Sequence, residues 1–215
     1  MGKIRQGHVE ALQRTSDQGG AEALLAVMAQ RSGEAAVVRP AIQALAVLAA
    51  ADMECPMRIA QANGIRTVVA TMRHYSIDGD IQAGGLAVLS MVLNSLGSAG
   101  AGALCECDGV PELMRGLKSH LRDTRIVVLG CDAIATLVKL GVEKDLLESQ
   151  AGQLLAQIML RHPNEASVQL AAARALAACA EASTDHTLAT AAVGAGAVAS
   201  VVNTLHDNQS KSDML

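Results

Sequence analysis

The sequence repeats itself every 42–45 residues, and this periodicity constrains the fold more than any other property. Four helix-patterned segments open alike, at Val37 (VVRPAIQALAVLA), Ile81 (IQAGGLAVLSMVL), Ile126 (IVVLGCDAIATLV) and Val168 (VQLAAARALAACA), spaced by 44, 45 and 42 residues. A glycine follows each start after 27, 28, 26 and 28 residues, at Gly64, Gly109, Gly152 and Gly196. Two landmarks kept in one register imply units of a single helical array. A unit of this length cannot bury its apolar face alone and must stack on its neighbours.

Within the 13-residue segments, aligned positions carry residues of one kind. The fifth is small (Ala41, Gly85, Gly130, Ala172), and the eighth, ninth and twelfth are apolar, as in Val88, Leu89 and Val92. Apolar residues at one, five, eight, nine and twelve follow the spacing of one helix face, and a small fifth residue lets another backbone approach. The pattern predicts long helices near 34–51, 80–95, 124–140 and 165–182. Between them lie two shorter helices, such as PMRIAQANG and IRTVVATMRH, separated by the repeated glycine. Glycine there reads as a helix stop, because it turns left-handed at no steric cost. Pro111 falls in the first turn of the next helix, where the missing N–H is harmless. The glycine-rich NSLGSAGAGALCEC follows a helix rather than a strand, so it reads as a lengthened loop and not a phosphate cradle.

This three-helix pattern resembles the armadillo repeat. The residues that carry the resemblance are the long-helix signature, clearest from Val168, with the Ala-Gly or Asn-Gly turn and the apolar helix after it. The two-helix HEAT repeat is the nearest competitor. The resemblance implies an all-α, right-handed solenoid forming a single domain over 1–215. Its units would run over about 5–51, 52–95, 96–140 and 141–182, with a partial unit over 183–206 and a polar tail over 207–215. It also implies that the long helices line a concave groove. Armadillo proteins resembling nuclear-import adaptors carry Trp at the seventh position and Asn at the eleventh. Here the seventh holds Gln43, Ala87, Asp132 and Arg174, and the eleventh holds Val47, Met91, Thr136 and Ala178. Import-signal recognition is therefore not expected. Gln43, Asp132 and Arg174 become the polar partner-binding candidates, with Asp132 and Arg174 also able to pair with each other. The partial unit lacks its long third helix, so Val198, Val201, Val202 and Leu205 are expected to form a partner-binding or self-associating surface at the C-terminal end.

Composition narrows the function classes. Half the residues are hydrophobic (51%), but Phe and Trp are absent and Tyr75 is the sole aromatic, so Ala, Leu and Val must build the core. The formal charge of −4 and the lack of an evident basic block argue against nucleic acid, as does the absence of aromatic stacking platforms. No run is long and apolar enough to span a bilayer, and MGKIRQGHVE lacks a signal-peptide core. Its Met-Gly start resembles a myristoylation site, except that Gln6 stands where Ser or Thr is wanted. Cys55, Cys105, Cys107, Cys131 and Cys179 are odd in number and mostly sit in apolar helical patterns, which suggests reduced, structural thiols in an intracellular protein.

Two further patterns bear on chemistry. His74, His120, His162 and His206 each lie 10 or 11 residues after a repeat glycine. Equivalent residues in adjacent repeats would stand about 8–10 Å apart, too far to share one zinc ion with bonds near 2.0–2.1 Å. Helix-end capping or a pH-sensitive contact suits them better. Cys105-x-Cys107 lacks a second ligand pair, so packing is the simpler reading. No catalytic motif is present, and no metal or cofactor is expected. The sequence thus points to a non-enzymatic cytoplasmic scaffold or adaptor for protein partners. The alternative, from the resemblance alone, is a fixed structural subunit of a cytoskeletal assembly such as a cilium or flagellum.

Overall fold

The computed structural model describes residues 11–182, and helices are the only regular elements among them. Helical residues 11–17 (α1) are followed by a medium helix α2 (Gly20–Gln30) and a long helix α3 (Ala35–Ala51). The short–medium–long order then recurs as α4 (Cys55–Gln61), α5 (Gly64–His74) and α6 (Gly79–Leu96). It recurs again as α7 (Ser98–Cys105), α8 (Gly109–Ser119) and α9 (Thr124–Lys139), and as α10 (Glu143–Glu148), α11 (Ala151–Arg161) and α12 (Ala166–Ala182). Each long helix matches its expected span to within one residue. The partial unit 183–206 and the tail 207–215 lie outside the described residues.

Local chemistry explains these boundaries. Asp78 and Asp123 cap α6 and α9: the Asp78 carboxylate accepts from the Asp80 and Ile81 N–H groups, and that of Asp123 from Arg125 N–H. Such caps satisfy donors that the first turn leaves free. Pro56 sits at the start of α4, where its fixed φ suits a helix. Pro40 lies inside α3 and removes one hydrogen bond from its exposed side.

One compact unit reaches to Glu112 and a second begins at Leu113, so the division falls inside α8 rather than between repeats. In the first, α3 packs on α6, and α2, α4 and α5 close around them, burying Met28, Ile42, Leu45, Ile59, Met72 and Leu89. In the second, α9 and α12 pack side by side with α10 and α11 against them, burying Ile126, Ile134, Leu137, Leu155, Ile158 and Val168. All four fifth positions are buried. A Cβ at Gly85 would stand 2.6 Å from Met72 Cγ, and one at Gly130 would stand 2.8 Å from Leu117 Cδ1. The eighth position is less uniform: Val88, Ala133 and Ala175 are buried, but Ala44 is exposed. Among the described residues no long helix precedes α3 to cover it.

The repeated glycines act differently from expectation. At the described corners the left-handed residue stands one before the glycine, as Gly19 (φ 82°), Asn63 (φ 59°) and Asp108 (φ 55°), or two before it, as Gln150 (φ 61°); Gly196 lies outside the described residues. Gly20, Gly64 and Gly109 instead open the medium helices, where backbone from the preceding helix comes too close for a side chain. A Cβ there would meet Thr15 O at 2.6 Å, Ile59 O at 2.6 Å and Leu104 O at 2.8 Å. In the fourth repeat the residue after the left-handed corner is Ala151, so Gly152 is one position out of register. The glycine-rich stretch after α6 is likewise no lengthened loop. Gly97 alone (φ 55°) reverses the chain, and α7 begins at Ser98.

Candidate functional site

The third and seventh positions reach solvent on every long helix, and the eleventh does so on α3, α6 and α9. On α3, Arg39, Gln43 and Val47 are exposed; on α6, Ala83, Ala87 and Met91 are half-buried. On α9, Val128, Asp132 and Thr136 are half-buried, and on α12, Leu170 and Arg174 are exposed, although Ala178 is buried. The candidate residues Gln43, Asp132 and Arg174 thus all reach solvent. Arg174 donates to Asp132 across 2.9 Å, so equivalent seventh positions of α9 and α12 touch directly. Both side chains are about half exposed, and such a pair contributes little to stability, roughly 0.2–1 kcal/mol. In the first unit Arg39 reaches Asp78 at 2.6 Å, tying α3 to the start of α6. Thr136 Oγ1 donates to the Asp132 carbonyl and is spent within its own helix. These faces offer apolar side chains with scattered charge. Val198, Val201, Val202 and Leu205 lie outside the described residues.

The His162 ring bonds the Leu121 carbonyl rather than the end of its own helix. Instead, the ends of α5 and α11 are satisfied from the next long helix. Gln82 Nε2 donates to the Met72 and Tyr75 carbonyls at 2.7 and 3.1 Å, and Gln169 Nε2 to those of Met159 and His162 at 2.8 and 2.9 Å. Both glutamines are buried at the second position of the signature, where an isolated polar residue on an apolar face was the available signal. His74 packs edge-on against Tyr75, with ring centroids 4.6 Å apart. His162 Nε2 lies 2.6 Å from the Leu121 carbonyl, in the loop after α8. His206 lies outside the described residues.

Cysteine and carboxylate chemistry is equally internal. Cys107 is buried, and its thiol donates to the Leu104 carbonyl at 3.3 Å, as a packing residue would. Burial pushes the Cys55 and Cys107 thiols up, Cys131 to about 12 and Cys179 to about 11, which suppresses the reactive thiolate. No group of three His, Cys, Asp or Glu side chains able to hold a metal ion occurs among the described residues. A network that the sequence reading missed joins α1 to α4. The fully buried Ser16 donates to Asp52 at 2.6 Å, and Arg58 reaches Ser16, Asp52, Asp17 and Glu54. Burial opposes the charge on Asp52, yet hydrogen bonds from Ser16 and the Glu54 N–H, with Arg58 nearby, hold its carboxyl below the usual range. Glu112, also buried, meets Arg73 Nε at 3.3 Å.

Two open clefts accompany these faces. One of about 380 Å³ lies between α2 and α5, beside Met28, Arg66, Thr67 and His74. The other, of about 320 Å³, is made by residues 118–123 and Arg161. Apart from Arg161, its basic lining belongs to RGLKSHLRDTR, a stretch with Arg115, Lys118, His120, Arg122 and Arg125 against one acid, Asp123. Scanning only for a contiguous basic run overlooks this stretch.

No family model matches the chain, and no curated protein is significantly similar to it. Its fold is similar to that of crystal structures of engineered proteins. One, at 18% identity and TM-score 0.70, aligns over 84% of this chain and 71% of its own; another, at 21% and 0.64, over 92% and 84%. A third, at 24% identity and TM-score 0.73, aligns over 89% of this chain, which spans 44% of that protein. These likenesses bear on the fold alone.

Proposed function

We propose that this chain is a non-enzymatic protein-interaction scaffold, a right-handed solenoid of armadillo-like repeats that binds partners along its long helices. The observation that carries this reading is the recurrence of one accessible face. Positions three and seven reach solvent on α3, α6, α9 and α12, and Asp132 and Arg174 meet at equivalent places on successive helices. The recurring glutamine bridges support a common unit, since Gln82 and Gln169 make the same two bonds one helix apart in their repeats. The polar side chains of the interior serve backbone carbonyls and ion pairs, which suits a framework whose surface does the work. Exposed Val47 and Leu170, at 51% and 59%, add apolar contact area to the same faces.

The test is affinity purification at moderate salt with wild type, a Gln43→Lys/Val47→Asp variant and an Arg174→Glu variant. Partners that exchange, and that are lost from the face variants while helicity and melting are kept, support the scaffold. Partners retained by both variants refute this face as the binding surface. A single complex of fixed stoichiometry would make the chain a structural subunit instead.

A further inference from the structure

The cleft of residues 118–123 and Arg161 carries a charge pattern that the scaffold reading does not use. The chain as a whole is acidic, with a formal charge of −4, yet Lys118, His120, Arg122 and Arg161 converge on this one cavity of about 320 Å³. The acid in its lining, Asp123, is already neutralised. Arg125 reaches its two carboxylate oxygens at 3.2 and 2.9 Å, and the Arg125 N–H donates to it at 3.0 Å. Lys118 Nζ is anchored on the Ser149 carbonyl at 3.2 Å. Arg122 and Arg161, by contrast, have no carboxylate partner among the described residues.

The backbone adds donors to the side chains. The loop turns through His120–Asp123, closed by the Asp123 N–H to the His120 carbonyl at 2.9 Å. The amides of Leu121 and Arg122, between them, have no protein acceptor among the described residues, and both residues line the cleft. His162 Nε2, 2.6 Å from the Leu121 carbonyl, holds the turn in place. Two unpaired guanidiniums, a third cation and two free amides at one concavity match the oxygens of a phosphoryl group, which accepts several charge-assisted bonds at once.

We propose that this cleft is a phosphate-recognition site and that its ligand is a phosphorylated serine or threonine on a protein partner. The cleft lies at the small end of the range for ligand pockets, about 300–1,000 Å³, and Leu121 is the single apolar residue in its lining, so it offers no apolar slot for a nucleobase. An anionic membrane is disfavoured by the acidic net charge and by a cluster below or at the bottom of the roughly four to eight Lys and Arg that lipid-binding segments carry. Phosphate recognition rests on the cleft itself, whereas the protein partner rests on the scaffold reading.

The test uses the isotope-labelled chain and two probes, inorganic phosphate and a short Ala/Gly peptide with one central phosphoserine. Phosphate should produce saturable amide shifts at Leu121, Arg122 and Asp123 that chloride at equal ionic strength does not. The phosphopeptide should bind at least about tenfold more tightly than its serine counterpart, and Arg122→Gln and Arg161→Gln should each weaken it by about tenfold. Both side chains are exposed, so the single variants should melt as wild type does; if one does not, the other is read alone. Shifts that do not saturate, or equal binding of the two peptides, overturn the proposal, as would phosphatidylserine vesicles binding more tightly than the phosphopeptide. If the cleft fails while partners are still lost from the Gln43, Val47 and Arg174 variants, only the phosphate site falls. If the phosphopeptide binds but those variants keep every partner, only the long-helix surface falls.

Discussion

Adding one methyl group at Gly64 tests the corner geometry of the repeats. An ideal Cβ there would lie 2.6 Å from the Ile59 carbonyl oxygen, 2.6 Å from Ile59 Cγ2 and 2.8 Å from Leu25 Cδ1. The carbonyl belongs to α4 and cannot move unless α4 moves with it. Overpacking of this kind costs about 1–3 kcal/mol, and replacing glycine by alanine in a helix returns about 0.5–1 kcal/mol. Gly64→Ala should therefore destabilise by up to about 2.5 kcal/mol, a drop of up to about 10 °C in Tm for a chain of this size. Gly102→Ala is the matched control: it lies on the exposed side of α7, with nothing within 4 Å of an added Cβ. There the helix gain stands alone, and Tm should rise by about 1–4 °C. Thermal melts followed by far-UV circular dichroism read both. Shifts of the same sign and size would refute the close-approach argument.

Gly85→Leu and Gly130→Leu should each cost about 1–3 kcal/mol or more in urea unfolding, because Met72 and Leu117 already occupy the space a side chain would need; unchanged melting would place those glycines outside the helix contacts. The hydrogen bond from Arg39, foremost, outweighs burial and holds the Asp78 carboxyl below its ordinary value of 3.8. A lowered carboxyl pKa stabilises the fold above the unfolded value and is lost as pH falls through the folded one. Asp78→Asn, which keeps a capping oxygen, should thus be less stable than wild type by under about 1 kcal/mol from neutral pH down to about 4, with the gap closing at lower pH. Thiol titration of the native protein should modify Cys105 first, with Cys131 and Cys179 reacting only on unfolding, since burial raises their thiols to about 12 and 11; rapid labelling of Cys131 would contradict its packing.

The long helices were legible because their apolar spacing and small fifth residues report the same buried face, as at Gly85 and Gly130. The corners were not, because a glycine signals either a left-handed turn or a close approach, and sequence alone does not separate them. Asn63, Asp108 and Gln150 take the turn, and Gly64 and Gly109 take the contact. The seventh positions could be placed on an accessible face from helical spacing alone, and Asp132 and Arg174 could be seen as a possible pair. What Gln82 and Gln169 do could not be read, since their acceptors lie 7 and 10 residues away, at and just past the end of another helix. The basic cleft escaped for the same reason: Arg161 joins Lys118 and Arg122 only through folding.

The central claim, that partners bind along the accessible side of the long helices, is tested most directly by position-resolved photo-crosslinking. A photoreactive side chain placed at Gln43, Asp132 or Arg174 is compared with one at Gln61 or Gln157, exposed positions on α4 and α11. The account predicts crosslinks to a common partner from the first three positions and few from the other two. Crosslinks confined to Gln61 and Gln157, with none from Gln43, Asp132 or Arg174, would contradict it.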